Sequence, residues 1–228
     1  MIIDNIWMIQ IPDNEVSQKY AEHTLASWKV HGHKVNLFNA VTPDTLTYPF
    51  NSVSYHNHRS CTPTELAAWE SHWALWNHCF DSGEDITVIE HDTLCITKRE
   101  ECKKLDYDIF SIVDYLWDDW DRYGKRFDGH PYWGSKFKLV PITSGYCMTP
   151  KGAERVLEYC ENRTLIKYSD DILLDRMNDD MRTDEHQRDY QWIGSVGFDN
   201  FVDRNKIVGY SRPIWKEELG GTVEHWID

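Results

Sequence analysis

The residues with the clearest chemical potential are two carboxylates, Glu90 and Asp92, which follow the apolar run Ile86–Ile89. In α/β proteins, ligands bind at the edge of the sheet where the buried strands end. Side chains two positions apart in an extended segment point to the same face, so both carboxylates are expected to face one ligand. Carboxylate oxygens suit Mg²⁺ and Mn²⁺, and such a cation can bind a diphosphate. The pattern therefore predicts a site for a diphosphate held through a metal ion.

The segment that precedes this strand carries the signals of a helix start. Thr62 is suited to the N-cap position, Pro63 to the first helical position, and Glu65 to the third position of a capping box. Ser71 and His72 are adjacent in this helix and are expected to point to different sides. The helix is expected to face the core through apolar residues at spacings of three and four, namely Leu66, Trp69, Trp73 and Trp76.

Strands and helices alternate along the rest of the chain. A strand is predicted over residues 6–11, a helix over 13–31 and a second strand over 35–38, and this order implies parallel pairing. Further strands are predicted over residues 107–113 and 145–148. The first helix is expected to bury one face, formed by Val16, Tyr20, Leu25 and Trp28. The prediction is an α/β fold with a mostly parallel central sheet flanked by helices.

Composition limits the classes of function. The chain has 228 residues, which suits a single domain over 1–228, with a net charge of −14. That charge disfavours non-specific binding to nucleic acid or to an anionic membrane. The six cysteines form no Cys-x-x-Cys pair, which argues against a zinc site and favours reduced thiols. With no signal-like start and no run of membrane-spanning length, we expect a cytoplasmic protein without stable membrane insertion.

The order of these residues resembles glycosyltransferase family 25. Members of that family carry a Thr-Pro-x-Glu helix start, a Ser-His pair, a Trp four residues after the His, and a strand that ends in Glu-Asp-Asp. The matching residues are Thr62 to Glu65, Ser71-His72, Trp76 and Glu90-His91-Asp92. The segment Thr143 to Glu154 also resembles a Gly- and Ala-containing block of the family. The middle acid of the strand end is replaced here by His91, which leaves metal dependence open.

The resemblance implies a GT-A-like fold in which residues 179–228 form a C-terminal extension that closes the site. It implies transfer of a hexose or pentose from a nucleotide-sugar donor, expected to be UDP-linked, to a hydroxyl acceptor. Three classes of acceptor stay open, which are a glycan, a hydroxylated protein side chain and a hydroxylated DNA base of the kind made in phage DNA modification. A divalent cation, manganese or magnesium, would neutralise the charge of the leaving diphosphate.

The resemblance also implies roles for individual residues. The expected metal ligands are Asp92, Glu90 and His225. The expected donor-binding residues are Asn39, Ala40, Ser71, His72, Glu90, Ser144 and Gly145. An acidic pair, Asp170 and Asp171, is expected to supply the general base that takes the proton of the acceptor hydroxyl. An acidic and aromatic segment that includes Trp117, Asp118 and Asp119 is expected to bind the acceptor.

Two other classes of function remain open. The replaced acid, together with the absence of Arg in the segment Pro12–Glu15 after the first strand, also fits a non-catalytic module that binds a nucleotide sugar or carbohydrate. The acidic clusters also fit a metal-dependent phosphodiesterase or nuclease. Release of nucleoside monophosphate would identify the phosphodiesterase, and donor binding without turnover would identify the module.

Overall fold

The computed structural model describes residues 2–47, 55–56, 59–60, 62–104, 108–112, 144–161 and 211–213. Its helices are α1 (Glu15–Val30), α2 (Pro63–Ser82) and α3 (Pro150–Glu161). The strands are β1 (Ile6–Gln10), β2 (Val35–Asn39), β3 (Tyr55–His56), β4 (Arg59–Ser60), β5 (Ile86–Glu90), β6 (Thr93–Cys95), β7 (Ile109–Ser111), β8 (Gly145–Met148) and β9 (Ser211–Pro213).

Five of these strands form the central sheet in the order β2-β1-β5-β8-β7. Strand β1 pairs in parallel with both β2 and β5, so that Met8 lies between Leu37 and Ile89. Strand β8 runs antiparallel to its neighbours β5 and β7. Four of the five strands therefore point the same way. The predicted α/β fold with a mostly parallel central sheet is confirmed.

Helix α1 begins one turn after β1. The Asn14 side chain caps it by accepting a hydrogen bond from the Ser17 amide at 2.9 Å. Tyr20 and Trp28 are buried as predicted, and Leu25 packs against the same core. Val16 is 64% exposed, so its prediction as a core residue was wrong. Ser17 takes the inward position in the first turn, where its hydroxyl accepts a hydrogen bond from the Ile11 amide at 3.0 Å.

Helix α2 has the predicted start. The Thr62 hydroxyl accepts from the Glu65 amide at 3.3 Å, and the Glu65 carboxylate accepts from the Thr62 amide at 2.7 Å. The helix ends at Gly83, which has the left-handed φ of 67° that terminates many helices. Ser71 and His72 are both buried, although they lie on different sides of the helix. Helix α2 therefore makes polar contacts with the protein on more than one face.

The sheet separates two apolar cores. On one face, Val88 and Tyr146 pack with Trp69 and Trp76 of α2 and with residues of α3. On the other face, Ile89 and its neighbours pack with α1, whose central contact is the fully buried Trp28. Neighbouring residues of β5 thus face opposite layers, as the two-residue period of a strand requires. The helices flank both faces and hold the ends of the strands in place.

Candidate active site

The carboxyl end of β5 is held rigidly against β8. The Glu90 amide donates a hydrogen bond to the Ser144 carbonyl at 3.1 Å, and the Thr93 hydroxyl donates to the same oxygen at 2.6 Å. One carbonyl therefore holds both ends of the turn formed by residues 91–92. Ser144 and Gly145, two predicted donor-site residues, therefore lie next to this turn.

Asp92 lies in this turn with an unusual environment. Its Oδ1 atom is buried and has no hydrogen-bond partner among the residues that the structure describes. Burial, and secondarily the negative charge of Glu90, raises the pKa of Asp92 from 3.8 to about 7, and a backbone hydrogen bond opposes the rise. Buried polar atoms are rarely left without partners, and each exception calls for an explanation. A buried carboxylate beside a second carboxylate would be stabilised by a cation.

His91 separates the two carboxylates and makes contacts with α1 and β1. Its carbonyl accepts a hydrogen bond from the Thr24 hydroxyl at 2.6 Å, and its ring lies edge-on to Tyr20 with the centroids 5.9 Å apart. Burial lowers the pKa of His91, while the charge of Glu90 and a hydrogen bond to the backbone of Ile9 oppose this shift. These contacts give the residue in the middle of the motif a role in fixing the turn.

A chain of buried polar groups reaches Glu90 from the core. The Trp76 indole donates to the Tyr146 hydroxyl at 2.7 Å, and that hydroxyl lies 3.1 Å from Nδ1 of His72. The opposite ring nitrogen, Nε2 of His72, lies 3.4 Å from Oε1 of Glu90. His72 is only 2% exposed, whereas the Glu90 side chain is 32% exposed. The predicted donor-site residue His72 therefore contacts Glu90 from beneath the site.

The loop after β2 starts at the same edge of the sheet. Asn39 is exposed at the end of the strand, and its side chain accepts a hydrogen bond from the Gln10 amide group at 3.5 Å. Ala40 continues the ladder, because its amide donates to the Gln10 carbonyl at 2.7 Å. Strand β1 separates these residues from Glu90, so about 10 Å of sheet lies between them.

Two side chains of α2 hold this loop. The fully buried Ser71 hydroxyl accepts from the Val41 amide and donates to the Ala67 carbonyl, both at 2.8 Å. The buried Glu70 carboxylate accepts from the Thr47 amide, which lies 3.1 Å from both carboxylate oxygens. The contacts of Ser71 therefore place it behind the loop that begins with Asn39 and Ala40.

The structure brings together part of the predicted site. Glu90, Asp92, His72, Ser144 and Gly145 meet around the end of β5, with the Asn39–Ala40 loop start at the same edge. Ser71 lies behind that loop, and the other six predicted residues lie outside the described ranges, namely Trp117, Asp118, Asp119, Asp170, Asp171 and His225. Within the described ranges, no three His, Cys, Asp or Glu side chains converge as a set that could hold a metal.

Sequence reasoning missed two polar residues that support this site. Tyr146 belongs to the apolar strand β8, where its pattern indicates only burial. Glu70 belongs to α2, where a Glu normally marks a solvated face. Both act through contacts with residues far away in the chain, His72 and Thr47 respectively. The one sequence signal for either residue is a polar group, the Glu70 carboxylate or the Tyr146 phenol, inside an otherwise apolar stretch.

The fold and the acidic strand end indicate an α/β transferase, and comparison with protein families supports this class. The sequence model of "Glycosyltransferase family 25 (LPS biosynthesis protein)" matches residues 15–174. That match covers more than half of the 228 residues, so the chain belongs to glycosyltransferase family 25. The predicted enzyme class, a glycosyltransferase, and the α/β fold class expected of it are confirmed.

Other comparisons are less informative. No curated protein matches the chain. Two solved structures of LgtC are similar over 92% of this chain and 86% of theirs, at 10% identity. One is an active-site mutant, with a TM-score of 0.37, and the other is galactosyltransferase LgtC in complex with donor and acceptor sugar analogs, with a TM-score of 0.34. Among the described helices, none has the length and apolar character to cross a membrane.

Proposed function

We propose that this protein transfers a sugar from a nucleotide-sugar donor, expected to be UDP-linked, to a hydroxyl group of an acceptor. The observation that carries the proposal is the buried Oδ1 of Asp92, without a partner among the described residues, beside Glu90 at the end of β5. Such an arrangement is unfavourable in the isolated protein and becomes favourable when a cation is bound. Membership of a glycosyltransferase family supports the same reaction class.

Asp92 and Glu90 fit a divalent cation, manganese or magnesium, with His225 as the predicted third ligand. Both ions accept few protein carboxylates and take their remaining ligands from water and phosphate. When bound, the cation would neutralise the negative charge that develops on the leaving nucleoside diphosphate. The carboxylates of Asp92 and Glu90 would hold the cation at the carboxyl edge of the sheet, where α/β proteins bind their ligands.

The loop after β2 would bind the nucleoside part of the donor. Asn39 and Ala40 are exposed or partly exposed at the end of β2, and they would flank the base. Ser71 and Glu70 would act on the donor indirectly, because their polar groups hold the loop. Gly145 lacks a side chain, so the backbone at Ser144 and Gly145 could approach the donor closely.

The acceptor side of the reaction rests on residues outside the described ranges. Asp170 and Asp171 would supply the general base, and Trp117, Asp118 and Asp119 would bind the acceptor. A glycan, a hydroxylated protein side chain and a hydroxylated DNA base remain candidate acceptors. The net charge of −14 favours the first two, because DNA binding would need a local basic groove. We further propose a single domain over 1–228 whose last part, 179–228, closes the site.

The proposal is tested by donor hydrolysis across a panel of nucleotide sugars, with and without manganese. The test variant is Asp92→Asn, which keeps the size of the side chain and removes its charge. Metal-dependent release of nucleoside diphosphate from one donor, lost in the variant, is the expected result. Release of nucleoside monophosphate would indicate a phosphodiesterase. Donor binding without release, even when acceptors are supplied, would indicate a binding module.

A further inference from the structure

Glu90 is connected to the core by a chain of polar contacts that spans three elements, with hydrogen bonds from Trp76 to His72 and a 3.4 Å contact from His72 to Glu90. Trp76 and His72 lie on α2, Tyr146 lies on β8, and Glu90 ends β5. The side chains of Trp76 and Tyr146 are fully buried, and only the Glu90 end of the chain reaches solvent. Tyr146, which is 70 residues from Trp76 and 74 from His72 in sequence, thus joins them in one chain that leads to the Glu90 carboxylate.

The direction of the chain follows from what each group can donate. An indole N–H can only donate, so the Tyr146 oxygen accepts from Trp76 at 2.7 Å. Burial raises the pKa of Tyr146 well above 10, so the phenol keeps its own proton. That proton can be given to Nδ1 of His72 at 3.1 Å. In a neutral imidazole, an accepting Nδ1 leaves the ring proton on Nε2.

The end of the chain is therefore an N–H group that faces a carboxylate. Nε2 of His72 lies 3.4 Å from Oε1 of Glu90. With the proton on Nε2, this contact attracts the ionised carboxylate. With the proton on Nδ1, the bare Nε2 would face the carboxylate, and the Tyr146 hydroxyl proton would lose its acceptor on His72. The tautomer of His72 thus decides whether Glu90 is held or repelled.

We propose that Tyr146 is a positioning residue for Glu90, because its hydroxyl fixes the tautomer of His72 that donates to the Glu90 carboxylate. The inference rests on the proposed function in one respect, namely that Glu90 binds the donor or its metal ion. The aromatic ring alone would fill the same space in the core. The hydroxyl is what connects α2 to the carboxyl end of β5. Outer partners of this kind typically contribute 10- to 100-fold to metal affinity or activity, and about that much is expected here.

The variant that tests the proposal is Tyr146→Phe, which removes the hydroxyl and keeps the ring. The matched control is Thr87→Val, which removes a buried hydroxyl from the opposite end of β5, where it donates to the Asp4 carbonyl at 3.3 Å. This control separates the loss of a buried hydroxyl from the loss of the hydroxyl that fixes the tautomer of His72.

The first readout is the tautomer of His72, measured by ¹⁵N NMR of the imidazole in the protein without ligands. We expect a single Nε2–H tautomer in the wild type and in Thr87→Val, and a mixture in Tyr146→Phe. An Nδ1–H ring in the wild type, or an unchanged ring in Tyr146→Phe, would overturn the proposal. If Tyr146→Phe does not fold, the wild type alone still tests the proposal, because an Nδ1–H or doubly protonated His72 ring would overturn it. The signal of His72 is assigned as the one that is lost from the spectrum of His72→Gln.

The second readout is steady-state kinetics with the donor identified by the panel. We expect Tyr146→Phe to lower kcat/KM by about 10- to 100-fold, mainly through a higher KM, because Glu90 acts in binding. Thr87→Val should leave kcat/KM unchanged, and His72→Gln, which retains an amide donor, should keep more activity than His72→Leu. Equal losses in Tyr146→Phe and Thr87→Val would contradict the proposal. Failure of the proposed function would give a different result. The wild type would then turn over no donor, while the NMR spectra would still show the Nε2–H tautomer of His72.

Discussion

Carboxylates lie against cations where β1, β5 and β7 begin. Where β5 ends, by contrast, Glu90 and Asp92 lie two residues apart, and the pKa of Asp92 is raised. An aspartate precedes each of the three strands, and each has a basic partner. The pairs are Asp4 with Arg99 at 2.6 Å, Asp85 with Lys104, and Asp108 with Lys151 at 3.0 Å. At the other edge, burial and, secondarily, the charge of Glu90 raise the pKa of Asp92, whose Oδ1 has no partner among the described residues.

The two edges of the sheet differ in whether their carboxylates have cationic partners. Paired surface carboxylates contribute little to stability and leave nothing for a ligand to neutralise. A buried carboxylate beside a like charge destabilises the folded state and is retained where a function needs it. A cavity of about 240 Å³ lies at the first edge, lined in part by Asp4, Asp85 and Lys104. The charges that line this cavity are already paired, so the proposed site lies at the other edge.

The largest effect is expected from Asp92→Asn. Because a catalytic cation contributes several kcal/mol, donor turnover should fall by at least about a hundredfold. The free energy of unfolding in the absence of ligands should stay equal or rise, since a partly buried charge beside Glu90 is removed. Activity assays and urea denaturation of the same preparation check both statements. A variant that loses stability and activity in parallel would make Asp92 a structural residue and would break the comparison.

A pH dependence of stability is the next effect in size. The pKa of Asp92 is about 7 in the folded state and 3.8 as the ordinary value, so the folded protein binds this proton more tightly. Stability therefore falls as the pH rises from about 4 to about 7, by at most about 4 kcal/mol, and stays low above that range. In Asp92→Asn this fall should be absent. Urea denaturation at several pH values measures the difference between the two proteins.

The same measurement can also contradict the raised pKa of Asp92. If the difference in unfolding free energy between wild type and Asp92→Asn does not change with pH, Asp92 is not protonated in the folded state near neutrality. The carboxylate would then have a partner that compensates its charge. The contrast between the two edges of the sheet would lose its electrostatic basis.

Much of the fold could be predicted because its signals are local. The capping box of α2 needs only Thr62, Pro63 and Glu65, and all three act as expected. The strand that ends at Glu90 was predicted from its apolar run, and the carboxylates were placed at its end by the general geometry of α/β sheets. An error of one position occurred at Val16, because both Val16 and Ser17 fit the start of the helix and only tertiary contacts select Ser17.

The support of the site could not be predicted in the same way. The hydroxyl of Tyr146 gains its importance from His72, which is 74 residues away in the chain. The carboxylate of Glu70 gains its importance from the Thr47 amide, which belongs to a loop without periodic pattern. Neither residue type nor spacing encodes such contacts. They depend on how α2 packs on the sheet, which is a property of the tertiary structure and is not encoded in any local sequence pattern.

The strand-start edge should respond in the opposite way to substitution. A Cβ atom at Gly152 would lie 2.5 Å from the Asp108 carbonyl oxygen and 2.8 Å from the Ile109 side chain, and the oxygen belongs to the backbone, which has little room to move. Gly152→Ala should therefore destabilise the fold by about 1–3 kcal/mol through overpacking. Donor turnover per folded molecule should not change, because the residue is remote from Glu90. Thermal unfolding and turnover at a temperature well below the transition test this, with Glu154→Ala at an exposed position of α3 as the control.

The smallest effect is expected at the ion pair between Lys151 and Asp108. The Lys151 side chain is 61% exposed, and Arg155 also contacts the Asp108 carboxylate, at 3.6 Å. Because exposed pairs contribute about 0.2–1 kcal/mol and a second cation remains, Lys151→Met should change the free energy of unfolding by less than about 1 kcal/mol. High salt should reduce even this difference. A larger loss, or any loss of donor turnover, would mean that charge at the strand-start edge matters as much as charge at the edge of Asp92, and the assignment of function to one edge would fail.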